Sequence, residues 1–149
     1  MSGAALLDVN VLIALFDPDH VHHDVAHDWF AENGQSAWAT CPLTENGFVR
    51  IVANLPKRGG FLSISEAVTI FRKFCASGGH EFWPDTISLA DARVFEPAHV
   101  RGHRQITDVY LLGLAVQHGA RLITFDSGIR LNAVKGATRA SLEVIAPTE

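Results

Sequence analysis

Apolar positions in this chain follow two rhythms. Short apolar runs of strand length occur at 5–9, 36–40, 121–125 and 142–146, and 81–83 reads as a further strand. Between them, apolar residues return at helical spacing. Residues 11–16 stay apolar until Asp17-Pro18 stops them, and 22–32 pairs Val25 with Trp29 and Ala26 with Phe30. Pro42-Leu43-Thr44 leads into a helix carrying Glu45, Phe48, Val49 and Val52. Ser63-Ile64-Ser65-Glu66 has the form of a capping box and opens a helix through Ala67, Ile70, Phe71 and Phe74 that Gly78-Gly79 ends. Ser88 and Asp91 at cap spacing predict another helix over 88–95. Residues 107–118 predict one more, with Leu111, Leu112, Ala115 and Val116 on one face and Gly119 closing it.

Strands alternating with amphipathic helices predict an α/β fold, three layers with a mostly parallel central sheet of about five strands. The 149 residues suit a single domain spanning 1–149, and neither repeat nor linker divides them. With 48% hydrophobic and 19% charged residues the chain is globular, and no apolar run approaches the ~20 residues of a membrane span. The start lacks a basic segment and a cleavage site. Cys41 and Cys75 form no CxxC pattern, so reduced thiols and a cytoplasmic location are expected.

The net charge of −4 weighs against a nucleic-acid partner until its distribution is considered. Six carboxylates lie in the first 32 residues, and no Lys or Arg precedes Arg50. All 12 basic residues fall between Arg50 and Arg139, a stretch with 7 acids and thus a net +5. Such polarity suits a site with cations at its centre and phosphates at its rim, and is also compatible with ordinary surface variation.

In a parallel α/β sheet, ligands bind beyond the carboxyl ends of the strands. Asp8 and Asp126 stand where two strands end, against apolar segments that make an unpaired carboxylate costly. Asp108 and Glu45 begin two apolar helices, beside Thr107 and Thr44. A helix dipole favours acids there without any chemistry, and Asp126 before Ser127-Gly128 equally suits a turn. Taken together, the four acids can converge on one crevice. Crowded carboxylates repel, and divalent cations that prefer oxygen relieve the repulsion. Metal-assisted phosphodiester hydrolysis is the chemistry such a cluster serves.

Four segments carry a resemblance. Leu6-Leu7-Asp8-Val9-Asn10-Val11-Leu12-Ile13, Thr44-Glu45-Asn46-Gly47-Phe48-Val49-Arg50, Thr107-Asp108-Val109-Tyr110-Leu111-Leu112-Gly113-Leu114-Ala115 and Leu122-Ile123-Thr124-Phe125-Asp126 resemble, in order and spacing, the acidic motifs of PIN-domain ribonucleases. Within that family the chain most resembles VapC-type toxins of bacterial toxin–antitoxin pairs, including its segments 56–67 and 80–85. The resemblance implies a Mg²⁺- or Mn²⁺-dependent endoribonuclease with Asp8 and Asp108 as main metal ligands and Glu45 and Asp126 completing the acidic centre. Asn10 and Thr124 would orient carboxylates or bound water. It also implies structured RNA as substrate, a homodimer, and a small VapB-like antitoxin that occludes the groove. Val9 departs from the family, where many members have Thr beside the first Asp.

Other signals compete. His23 and His27 stand at i, i+4 as in zinc-binding helices, but Asp24 is a shorter base than Glu and no third ligand follows; a solvated helix face is the simpler reading. The run His99, Arg101, His103, Arg104 precedes Thr107-Asp108, and Arg104 is the first candidate for an RNA phosphate contact. Two alternatives remain: a PIN nuclease outside toxin–antitoxin systems, and a non-catalytic flavodoxin-like regulatory module such as a receiver. A receiver needs an early acid pair and a Lys after a late strand, and neither pattern is present.

Overall fold

Leu6 and Leu7, adjacent in sequence, serve opposite faces of one sheet, and that alternation organises the molecule. In the computed structural model, which describes residues 3–34, 36–57 and 60–146, strands β1 (Ala5–Leu7), β2 (Trp38–Thr40), β5 (His80–Phe82), β6 (Arg121–Thr124) and β7 (Leu142–Val144) form the sheet. Their order is β5-β2-β1-β6-β7, and every pairing is parallel. Leu6, Ala39 and Leu122 face helix α5 (Ile106–Gln117), together with buried Val109, Leu112 and Leu114. Ala5, Leu7, Trp38 and Ile123 face the opposite layer. That layer holds α1 (Val9–Phe16), α2 (His23–Trp29), α3 (Pro42–Val52) and α4 (Ile64–Cys75). The three layers are those expected. Both sheet faces are covered, which is why the strands read as apolar runs rather than alternating ones.

The Ser63 capping box forms in full, with the Glu66 N–H donating to Ser63 Oγ and the Ser63 N–H donating to Glu66 Oε1, both at 3.0 Å. A short antiparallel hairpin, β3 (Pro56–Lys57) with β4 (Gly60–Phe61), was not foreseen; Arg58 and Gly59 of the segment 56–67 lie outside the described residues. Helix α2 ends at Trp29 and continues as a π-helical turn, Phe30–Gly34.

The helix expected over 88–95 does not form. Ser88 and Asp91 make turns only: Ser88 Oγ accepts from the Ala90 N–H, and Asp91 accepts from the Arg93 backbone and guanidinium. The backbone is drawn into extended pairing instead. The Lys135 N–H donates to Val94 O at 2.8 Å, the Glu96 N–H donates to Ala133 O, and Phe95 bridges Val134. Phe95 is thereby buried against Gly113 of α5, where a Cβ would lie 2.6 Å from the ring. Tertiary packing overrides the local cap signal.

The paired histidines lie on a largely exposed helix face, as expected, and one nitrogen of each ring also meets a backbone carbonyl. His23 Nδ1 lies 2.6 Å from Ala14 O and His27 Nε2 2.8 Å from Leu15 O. Both rings close the carboxyl end of α1, where backbone carbonyls lack helical partners.

Candidate active site

Strand β1 ends at Leu7, and the chain turns at once into α1 with Asp8 at its N-cap. The Asp8 N–H donates to Ile123 O, so Asp8 lies alongside the end of β6. There Thr124, fully buried, donates from Oγ1 to Asp8 Oδ2 at 2.9 Å and accepts from the Asp126 N–H at 3.1 Å. One hydroxyl thus ties together the two acids that follow adjacent strands. Asp126 Oδ1 accepts from the Gly128 N–H at 2.7 Å, and Gln105 Nε2 donates to Gly128 O at 2.8 Å. Gln105 immediately precedes α5, which carries Asp108 in its first turn. This chain of bonds fastens the Asp126 loop to the helix start.

Asp8, Asp108 and Asp126 act on one another electrostatically. Asp8 is only 6% exposed; burial raises its proton affinity above the ordinary 3.8, the Thr124 hydroxyl and the Val9 N–H oppose that rise, and nearby Asp126 adds to it. Asp108 is pushed up to about 7, first by burial, then by the charges of Asp8 and Asp126, and by hydrogen bonding with Asp126. Among the described residues, none of the ion pairs formed by Arg93, Arg121 or Lys135 reaches these carboxylates. Three mutually repelling acids with no basic partner among the described residues are a donor set that suits an oxygen-seeking cation. Among the described residues, no three His, Cys, Asp or Glu side chains form a ready ligand cluster. Mg²⁺ does not require one, since it keeps several waters and uses one or two carboxylates plus substrate phosphate.

Glu45 stands apart from that triad. It occupies the first turn of α3, where its Oε2 accepts from Thr40 Oγ1 at 3.0 Å. Thr40 ends β2, the strand beside β1, and is fully buried. The same hydroxyl lies 2.8 Å from His80 Nε2, and Cys75 Sγ lies 3.6 Å from that nitrogen. Burial, then Glu45, pushes the Cys75 thiol up to about 11. Asn10 is exposed in the first turn of α1, and Arg104 is exposed in the short turn His103–Gln105 before α5.

Val9, the departure from the family pattern, packs against α3. A Cβ on Gly47 of α3 would meet Val9 Cγ2 at 2.8 Å, so α1 and α3 approach closely at this point. Thr40, His80 and Gln105 were not singled out in the sequence. Thr40 carried a usable signal, a buried hydroxyl residue ending a strand as Thr124 does. His80 and Gln105 carried none.

With this geometry in place, comparison with known proteins is direct. The PIN domain family matches residues 5–135. The chain is 42% identical over 141 residues to Ribonuclease VapC44 of Mycobacterium tuberculosis, covering 95% of this chain and 99% of that protein. It is 46% identical over 125 residues to Ribonuclease VapC38 of the same organism, covering 84% and 86%. Among solved structures, the fold is similar to a chain in the crystal structure of VapBC2 from Rickettsia felis bound to a DNA fragment from their promoter. That match has a TM-score of 0.59 and 12% identity over 96% of this chain and 99% of that one, a likeness of fold alone. By family model and by sequence identity, the chain belongs to the PIN-domain proteins, and within them to the VapC family.

Proposed function

We propose that this chain, a PIN-domain ribonuclease of the VapC toxin class, cuts RNA at the site formed by Asp8, Asp108 and Asp126, with Glu45 of the neighbouring α3 completing it. What supports this reading is the electrostatic coupling of three aspartates that follow β1, follow β6 and begin α5, without a basic partner among the described residues. Asp8, Asp108 and Asp126 would hold Mg²⁺ or Mn²⁺, with Glu45 completing the acidic centre. Bound there, the cation lowers the pKa of an attacking water and stabilises the leaving oxygen. Thr124 fixes Asp8 and the Asp126 backbone in one arrangement. Gln105 and Gly128 hold the Asp126 loop against the start of α5. Asn10 orients the neighbouring carboxylate or water, and Arg104 takes a phosphate at the rim.

Residues 1–149 function as a single PIN domain in this reading. No helix among the described residues is long and apolar enough to cross a membrane. A cytoplasmic site of action, a homodimer and a small VapB-like antitoxin covering the crevice follow from the family resemblance. The test is cleavage of total RNA by chain purified free of antitoxin. Wild type should cut with Mg²⁺ or Mn²⁺ and stop in EDTA, and Asp8→Asn should be inactive yet folded. Equal cleavage in EDTA overturns the metal reading.

A further inference from the structure

Thr40 is the only fully buried side chain that touches Glu45 among the described hydrogen bonds, and its hydroxyl has a single proton to give. A carboxylate that serves a cation is an acceptor only, so that proton goes to Glu45 Oε2 at 3.0 Å. The Thr40 oxygen then needs a donor, and His80 Nε2 lies 2.8 Å away. The network therefore assigns the imidazole proton to Nε2. Register makes this meeting possible. His80 of the edge strand β5 pairs with Trp38 of β2, and its ring packs on the Trp38 indole with centroids 4.6 Å apart. Its Nε2 reaches diagonally to Thr40, two residues further along the same strand face.

We propose that His80 and Thr40 are positioning residues for Glu45: the imidazole donates to the Thr40 hydroxyl, which donates to the carboxylate and holds it in one rotamer on the side of β2, the strand next to β1. This rests on the nuclease reading above, since it assigns Glu45 to the acidic centre. A Glu side chain in the first turn of a helix otherwise rotates freely about its bonds. A buried hydroxyl with both of its bonds committed is a rigid anchor. Groups that orient ligands in this way are worth about 10–100-fold in metal affinity or activity.

The test uses the full chain with His80→Phe, His80→Gln, Thr40→Val and Thr40→Ser. Phe keeps the ring packing on Trp38 and removes the donor, whereas Gln restores an N–H near the Nε2 position. Val keeps the shape of Thr without its hydroxyl. The readouts are Mn²⁺ binding, from the electron paramagnetic resonance signal of free Mn²⁺, and the Mn²⁺ concentration giving half-maximal RNA cleavage. His80→Phe and Thr40→Val should each weaken both about 10–100-fold, and together no further, because they break one path. His80→Gln and Thr40→Ser should stay close to wild type. Wild-type behaviour of His80→Phe and Thr40→Val, or full additivity in the double variant, overturns the proposal. Should His80→Phe fail to fold, the Thr40 pair decides. Asp8→Asn and Glu45→Gln run in parallel separate the two readings. If they too bind Mn²⁺ normally, the metal reading fails; if they lose it while His80→Phe keeps it, only the positioning role fails.

Discussion

Asp108→Asn should stabilise the metal-free protein at neutral pH while abolishing cleavage. In the folded chain the Asp108 carboxyl titrates at about 7, because burial and the charges of Asp8 and Asp126 all oppose its ionisation. In the unfolded chain it returns to about 3.9. Between roughly pH 4 and pH 7, therefore, the folded state keeps a proton that the unfolded state has released, and stability falls as pH rises. Each pH unit in that window costs at most about 1.4 kcal/mol, so the whole shift caps at roughly 4 kcal/mol. Asp108 is only partly buried, and local relaxation relieves some of the repulsion, so a measured difference of about 1–2 kcal/mol is expected between about pH 5 and pH 8. Asn carries no charge, and its amide donates to Asp126 as the protonated carboxyl does. Urea unfolding in EDTA, followed by circular dichroism, should show Asp108→Asn above wild type at about pH 8, with the gap closing toward about pH 4. Saturating Mn²⁺ should erase or reverse that gap, because wild type alone keeps the complete set of acids. A variant no more stable than wild type at the higher pH in EDTA would refute the crowding of charges on which the site depends.

Gly113→Ala sets a methyl 2.6 Å from the buried Phe95 ring, so it should lower stability by about 1–3 kcal/mol in urea unfolding, and Phe95→Leu in the same chain should recover part of the loss. Arg104→Ala should weaken RNA binding and reduce the slope of log affinity against log salt by about 0.7–1, measured by filter binding with the inactive Asp8→Asn background; an unchanged slope removes Arg104 from the phosphate-contacting set. His23→Ala frees the Ala14 carbonyl at the end of α1 and should cost about 0.5–1.5 kcal/mol of stability, with cleavage per folded molecule unchanged. A large loss of activity in that variant would return the histidines to the chemistry.

The sheet and the aspartates were legible for the same physical reason. Strands buried on both faces must be apolar throughout, so Ala5–Leu7 and Arg121–Thr124 announce themselves, and an acid placed directly after one is conspicuous. Asp108 was legible as an acid beginning an uninterrupted apolar helix. What failed to appear depends on partners distant in sequence. The cap pattern at 88–95 is local and predicts a helix, whereas the pairing of Val94 with Lys135 and the slot at Gly113 for Phe95, which make the segment a turn, are not local. The spacing of His23 and His27 is a fact about one helix, but the carbonyls they meet belong to another. The hairpin Pro56–Phe61 lacks any alternation long enough to show.

Two parts of the proposed acidic site are built differently. The aspartate half is held by strands that are neighbours in the sheet's centre, β1 and β6, with Thr124 as the shared fastening. Its acids disfavour one another, so this half stores repulsion that the apolar layers around Leu7, Ile123 and Leu112 must outweigh. Glu45 lies on the side of β2 and the edge strand β5, where its Oε2 accepts from Thr40. Like-charge repulsion thus lies at the β1–β6 pair, and the Thr40 hydrogen bond to Glu45 at the β2–β5 pair. If Asp8, Asp108 and Asp126 hold a cation, Glu45 of α3 would be a further carboxylate already fastened by Thr40.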